Sequence, residues 1–413
     1  MAAKIMKAVQ YEGYGGGAAG LKAKKLRVTC LLGREFRHVV VWNLVREECH
    51  RKKGVGLDWE LPKLYNVAME NERRMMERGN DVKRGGKKMT VEDLDSFVNL
   101  GLCSLQHTEI PIPSPKKDEV LLKLEATSVN PIDWKVQNGM LRPFLPPRFP
   151  FVPGVDVTGE VTEAGPEVAN FKEGDKVIAM LGLPNSGGLA EFAVAPTNMT
   201  VSRPAELSPA EGAGLPTAAL IALQALRTAG TSKFDGTGKS SNILITAASG
   251  GVGHYAVQLA KLAGLHVTAT CGVRNVEFVK QLGADEVLDY KTPQGASLTS
   301  PSGKKYDAVI HCASGIPWST FEPNLSAYGT VIDISPSFKS MVAALYKKVT
   351  LSKKKLVTLV LAPNVEDMKF VVESAKEGRL RTCVDSIHGL SKAEAAWAKS
   401  ISGHATGKII VEM

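Results

Sequence analysis

The densest chemistry in this 413-residue chain lies in 243-ILITAASGGVGHYAVQLAKLAG-264. An apolar run ends at Thr246, a turn of small residues spans 247–253, and an amphipathic run opens at about Val252. Ala248, Gly250 and Gly253 fall at the three small-residue positions of a GxGxxG-type fingerprint, the first with alanine in place of glycine. Each residue type has a physical job there. A small first residue permits the tight turn. Gly250 and Gly251 let backbone N–H groups approach a pyrophosphate, and Gly253 lets the helix pack close to the strand. A helix that opens at Val252 would offer unpaired N–H donors and the positive end of its dipole. The chemistry implied is capture of a dinucleotide.

The next strand, predicted over 266–270, ends at Cys271. An enzyme that reads the ribose 2′-hydroxyl of NAD places an acid near such a strand end. Here the loop reads 271-CGVRN-275 and offers Arg274 instead. A guanidinium suits a 2′-phosphate, which an acid would repel. The expected cofactor is therefore NADPH rather than NADH.

The elements that must position these residues fall into two rhythms. Residues 118–127 alternate apolar and polar side chains, as a half-buried strand does. Short strands are expected at 156–161, 175–180 and 190–194, punctuated by Pro and Gly, which suggests a small, mostly β domain. Residues 217–228 read as a helix. Apolar strands are then expected at 243–246, 266–270, 286–288, 308–311, 331–334 and 356–361, with helices such as 252–264 and 275–283 between them. That alternation makes βαβ units and a parallel sheet. After Pro363 the reading is a helix, a strand at 382–384, a helix from Ala393 and a last strand over 408–411. The expected class is thus α/β. Residues 1–216 and 363–413 form a mostly β catalytic domain, and residues 217–362 form a doubly wound parallel-sheet cofactor domain.

Bulk properties narrow the function classes. Apolar residues make up 44% of the chain and charged residues 23%, as in a globular protein. None of the six cysteines stands in a CxxC pair, so neither a zinc ribbon nor a disulfide framework is expected. No apolar run is long enough to span a bilayer, and the N-terminus lacks the apolar core of a secretory signal. The net charge is +9. Residues 23–106 hold 17 Lys and Arg against 12 Asp and Glu, so more than half of the excess sits in one segment without strand rhythm. Within it only 69–79 reads as helical. A modest basic balance fits a phosphate-bearing cofactor or an anionic membrane surface, and is weak support for nucleic acid.

Five stretches in order carry a resemblance: 128-SVNPIDWK-135, 150-PFVPGVDVTGEV-161, 247-AASGGVG-253, 281-QLGADEVLDYK-291 and 403-GHATGKIIV-411. Together they resemble the quinone oxidoreductase branch of the medium-chain dehydrogenase/reductase superfamily, and within it the plant chloroplast-envelope members. The resemblance covers residues 1–22 and about 107–413. It implies a GroES-like catalytic domain built from both chain ends, a Rossmann domain between them and NADPH in the cleft. It also implies hydride transfer to quinones or to the C=C bond of α,β-unsaturated carbonyls. Zinc-using relatives carry Cys and His ligands where this chain has Asn130 and Asp156, so no metal is expected. Carried over by matching position, Asn130 and Asp133 line the nicotinamide end and Lys135 reaches the cofactor. Gly251 and Val252 form the pyrophosphate turn, Gly272, Arg274 and Asn275 the 2′-phosphate loop, and Tyr290 lies near the adenosine phosphate. Ile221 departs from the pattern, standing where many members have Thr. Asn130, Lys135 or backbone amides would meet the charge that develops on the acceptor oxygen. The resemblance further implies peripheral attachment to the chloroplast inner envelope and assembly as a homodimer.

The alternatives are a non-catalytic NADPH-binding protein and a nucleic-acid binder that uses the basic residues 24–88. The latter would show steep salt dependence. Removing residues 23–106 leaves 329 and joins 20-GLK-22 to 107-HTEIPIPSP-115 as a first hairpin. The segment therefore reads as an insertion, with a retained intron as the favoured origin.

Overall fold

In the computed structural model the described residues are 4–11, 105–141, 145–146, 148–238, 241–335 and 352–413. The helix expected over 69–79, and residues 23–104 of the expected insertion, lie outside them.

Strand β1 (Ile5–Gln10) pairs antiparallel with β2 (Gln106–Pro111), from Ile5 opposite Pro111 to Gln10 opposite Gln106. This is the expected first hairpin. One correction follows, because Gln106, counted within the insertion, is a strand residue. Strand β3 (Glu119–Val129) is followed by helix α1 (Pro131–Gln137). After it come β4 (Asp156–Ala164), β5 (Lys176–Met180), β6 (Phe192–Pro196) and β7 (Thr200–Ser202). Near the end of the chain stand β14 (Val384–Gly389) and β15 (Lys408–Glu412). These build a sheet in the order β14-β15-β3-β4-β5-β7, with β6 also paired to β3. The last strand thus lies between β14 and β3, beside the residues that lead into α1. The alternation of Val120, Leu122 and Leu124 puts their side chains into one core with Val157, Val161 and Val177.

Two short helices lead out of this sheet. Helix α2 (Pro209–Gly214) is fixed by a reciprocal cap in which Ser208 and Glu211 bond each other's backbone N–H. Helix α3 (Pro216–Thr228) follows. The second sheet then begins. Strands β8 (Asn242–Thr246), β9 (His266–Cys271), β10 (Glu286–Asp289), β11 (Tyr306–His311), β12 (Leu325–Asp333) and β13 (Lys355–Thr358) lie in the order β10-β9-β8-β11-β12-β13. Every pairing in it is parallel. This is the 3-2-1-4-5-6 order of a doubly wound dinucleotide-binding sheet. Helix α4 (Gly253–Leu262) follows β8, and its Tyr255, Ala256, Leu259 and Ala260 are buried with α3 and the sheet.

Several expected strands have shifted bounds, and the one expected at 331–334 already begins at Leu325. The strand expected at 382–384 begins at Val384; the Cys383 carbonyl still pairs with the Lys408 N–H of β15, while the Cys383 N–H turns to the His254 ring. The one expected at 190–194 begins at Phe192, although Ala190 bridges Ala8. The one expected at 356–361 stops at Thr358.

Candidate active site between the phosphate turn and a buried polar cluster

The site is built around the turn that follows β8. Ala247 takes a φ of 50°, and the Gly250 N–H bonds the Ala247 carbonyl at 2.9 Å. One glycine, Gly253, is required on steric grounds, whereas at Gly251 a Cβ would meet only ordinary contacts. A Cβ on Gly253 would lie 2.3 Å from the Ala247 oxygen and 2.7 Å from the Ala248 Cα. A Cβ on Gly251 would approach the Gly407 oxygen and the Lys408 Cδ at 3.6 Å. Gly250, Gly251 and Val252 remain partly exposed, while Ala248 and Gly253 are buried. The turn thus presents bare backbone at the N-terminus of a ten-residue helix, which fits the pyrophosphate of a dinucleotide.

The loop after β9 stands beside it. Asn275 donates from Nδ2 to the Ser249 Oγ at 2.9 Å, which ties the loop to the turn. Its Oδ1 accepts from the Thr406 hydroxyl at 3.3 Å. Arg274 is exposed and donates to the His404 carbonyl at 2.6 Å. Gly272 faces Tyr290, since a Cβ there would lie 3.5 Å from Tyr290 Cε1. Tyr290 is half-exposed, and its backbone N–H bonds the Cys271 carbonyl. Gly272, Arg274, Asn275 and Tyr290 thus stand on the β9–β10 side of the turn. No carboxylate occurs in the 271–275 loop.

The third part is a buried polar cluster where β3 leads into α1. Asn130 caps α1, and its backbone N–H bonds the Asp133 Oδ2 at 2.7 Å. Its side chain donates to the Asp156 Oδ2 at 2.9 Å and accepts from the Lys408 Nζ at 2.6 Å. Asp156, fully buried, also takes the Thr217 hydroxyl at 2.6 Å, the Thr217 N–H at 3.1 Å and the Ser128 hydroxyl at 3.2 Å. The Lys408 Nζ stands 4.0 Å from Asp156. Removing such charges from water disfavours the ionised forms. Burial pushes the Asp133 carboxyl up to about 7, and the nearby Asp156 charge adds to this. Burial likewise raises Asp156, against the pull of Lys408. It lowers Lys408, against the two carboxylates.

The sequence pattern points to Asn130 and Asp133 but misses Lys408, Thr217 and Ser249. Lys408 is the hinge of the arrangement. Its stem passes Gly251 and its ammonium reaches Asn130, so one side chain touches both the phosphate turn and the α1 cap. Its signal in the sequence is a lysine opening the apolar strand 408-KIIV-411, which only a partner makes legible. Lys135 stands apart from the cluster, half-buried, with its Nζ 5.8 Å from the ring centre of its neighbour Trp134. Ile221 is part-buried on α3, one turn beyond Thr217. Among the described residues no three His, Cys, Asp or Glu side chains gather as a metal site would require.

Residues 116–205 match the family model described as alcohol dehydrogenase GroES-like domain, and residues 282–411 match zinc-binding dehydrogenase. The chain is 63% identical over 327 residues to the chloroplast envelope quinone oxidoreductase homolog of Arabidopsis thaliana, covering 79% of this chain and 99% of that one. It is 36% identical over 224 residues to the 2-methylene-furan-3-one reductase of Solanum lycopersicum, covering 52% of this chain and 56% of that one. Among solved structures it is similar to the quinone oxidoreductase from Coxiella burnetii, with a TM-score of 0.67 and 31% identity, covering 75% of this chain and 95% of that one. By its two sheets, its phosphate turn and these relatives, the chain belongs to the quinone oxidoreductase branch of the medium-chain dehydrogenase/reductase superfamily.

Proposed function

We propose that this oxidoreductase uses NADPH to reduce quinones or the C=C bond of α,β-unsaturated carbonyls. The observation that carries the cofactor choice is the loop after β9, where Arg274 and Asn275 stand beside the phosphate turn and no acid is present. When bound, the cofactor supplies a hydride from C4 of its nicotinamide. The protein's part is to hold and orient it. Gly250, Gly251 and Val252 would receive the pyrophosphate on backbone N–H groups. Arg274, released from the His404 carbonyl, would meet the 2′-phosphate with Asn275, and Gly272 and Tyr290 would border the adenosine. The α1 cap would border the nicotinamide, with Lys408 holding Asn130 and Asp156 holding both Asn130 and Thr217. Reduction places negative charge on the acceptor oxygen, where N–H donors and a cation stabilise it. Lys135, on the half-buried face of α1, is the candidate for that role, since the Asn130 amide is already engaged on both sides.

The two acceptor classes follow from the relatives' names, a quinone oxidoreductase homolog and an enone-type reductase. The name of the Arabidopsis relative also carries the proposal of a chloroplast location. Attachment to the inner envelope through basic surface and assembly as a homodimer extend that proposal. Fractionation of chloroplasts and the solution mass would test them. The activity itself is tested by following cofactor oxidation by purified protein against a panel of quinones and of short and long enones. Turnover with one class and none with the other selects the acceptor. Cofactor binding without turnover on any acceptor would overturn the enzymatic reading.

A further inference from the structure

Helix α4 opens with a buried histidine that the cofactor reading does not use. His254 is wholly inaccessible to solvent. Its Nδ1 lies 3.0 Å from the Gly250 carbonyl oxygen, and its Nε2 lies 3.3 Å from the Cys383 N–H. These two partners fix its state. A carbonyl only accepts, so Nδ1 must carry the proton. A backbone N–H only donates, so Nε2 must be the free acceptor. His254 is therefore the neutral Nδ1–H tautomer. Burial, which pulls its titration down to about 4, keeps it so across the physiological range.

The consequence falls on the phosphate turn. The Gly250 oxygen accepts twice from one residue, from the His254 backbone N–H at 3.1 Å and from its ring. In a trans peptide the carbonyl of one residue and the N–H of the next point in opposite directions. With the Gly250 carbonyl anchored on His254, the Gly251 N–H is turned away from the helix and out into the cradle. A Gly-Gly link has no Cβ to favour one orientation of its peptide plane, so an external anchor is what can hold it. The anchor is itself tied down, because the Cys383 N–H holds the other side of the ring. Next to it, the Thr382 hydroxyl bonds the Tyr255 hydroxyl at 2.8 Å and the Glu211 carbonyl at 3.0 Å.

We propose that His254 is a positioning residue for cofactor capture, which holds the Gly250–Gly251 peptide with its N–H aimed at the pyrophosphate. This rests on the reading that the turn receives NADPH. The test separates the two ring nitrogens. In His254→Asn the side-chain amide can replace Nδ1 and keep the bond to Gly250. In His254→Gln the amide oxygen can replace Nε2 and keep the bond to Cys383 while the turn is released.

Binding is measured for NADPH and for 2′-AMP, which has a 2′-phosphate but no pyrophosphate. H254Q is expected to weaken NADPH roughly five- to tenfold, the worth of one neutral hydrogen bond, with 2′-AMP unchanged. H254N should keep most of the NADPH affinity. In turnover the H254Q loss should appear in KM for NADPH rather than in kcat. Equal NADPH binding by H254Q and the parent overturns the inference. So does an equal loss for both ligands, or a loss in H254N as large as in H254Q. Should H254Q fail to fold, His254→Met, which lacks both bonds, takes its place against H254N. A parent that binds neither NADPH nor NADH overturns the cofactor reading, and this inference falls with it. A parent that binds while H254Q matches it overturns this inference alone.

Discussion

At Gly253 one added methyl group would fall 2.3 Å from the Ala247 oxygen, a contact that only movement of the turn could relieve. Gly253→Ala is therefore expected to lower stability by about 1–3 kcal/mol, in the range of an overpacked site, and to weaken cofactor binding as well. Thermal unfolding and cofactor titration of the variant check both effects, and an unchanged melting temperature would speak against the packing argument. Arg274 works differently. It is exposed and bonds the His404 carbonyl at the surface, so Arg274→Ala should leave stability unchanged. Its loss should raise KM for NADPH by roughly tenfold or more while sparing NADH, as expected for a charged hydrogen bond to the 2′-phosphate. Equal effects on the two cofactors would remove Arg274 from that role. These residues are legible because short motifs fix them in sequence. Lys408 is not, since its partner Asn130 lies 278 residues earlier and the pair meets only when the last strand enters the sheet beside β3.

The strand-turn-helix unit is readable for a physical reason. A buried parallel strand is apolar throughout, and the residues that end it are fixed by the turn, so 243–264 yields β8 and the start of α4 nearly to the residue. Strand β14 is less readable. Its Ile387 is exposed and its alternation weak, so the pattern puts its start two residues early. The capped start of α1 carries a prediction of its own. Asp133 titrates near 7 in the fold against an ordinary value of 3.8, so the folded state holds its proton more tightly than the unfolded chain does. That contribution is complete below about pH 4 and is lost as the pH rises through about 7. His254 acts in the opposite sense. Held to about 4 against an ordinary 6.5, it gives stability that is present above 6.5 and lost as the pH falls through about 4. The two overlap between about 4 and 6.5, so the Asp133 term is isolated by subtraction. Between about pH 4 and 7 the Asp133→Asn variant should therefore gain stability relative to the parent as the pH rises, because the opposing His254 slope is no longer offset. Parallel curves would show that Asp133 does not titrate there.

At the scale of the whole molecule the first hairpin closes on itself. Gln10 and Gln106 are directly opposed, so the chain ends that leave the pair are only about 5 Å apart. A short connection can therefore span them. Leu105 is buried and Gln106 is paired, so the segment that can be removed without touching the described structure ends at residue 104. The Arabidopsis relative matches over 327 residues, close to the 329 that remain without residues 23–106. Deletion of residues 23–104 is accordingly expected to leave the melting temperature within a few degrees and to retain activity. A deletion variant that does not fold would show the segment to be integral. Transcript reads that join codon 22 directly to codon 107 would support a retained intron, and uniform coverage through the segment would exclude it.

In the proposed function the turn after β8 and the loop after β9 together select NADPH for hydride transfer. The most direct test is kcat/KM for NADPH and for NADH with the best quinone or enone acceptor of the purified protein. NADPH is expected to be preferred by about tenfold or more, as a charge-assisted contact to the 2′-phosphate requires. Equal use of the two cofactors, or preference for NADH, would contradict it.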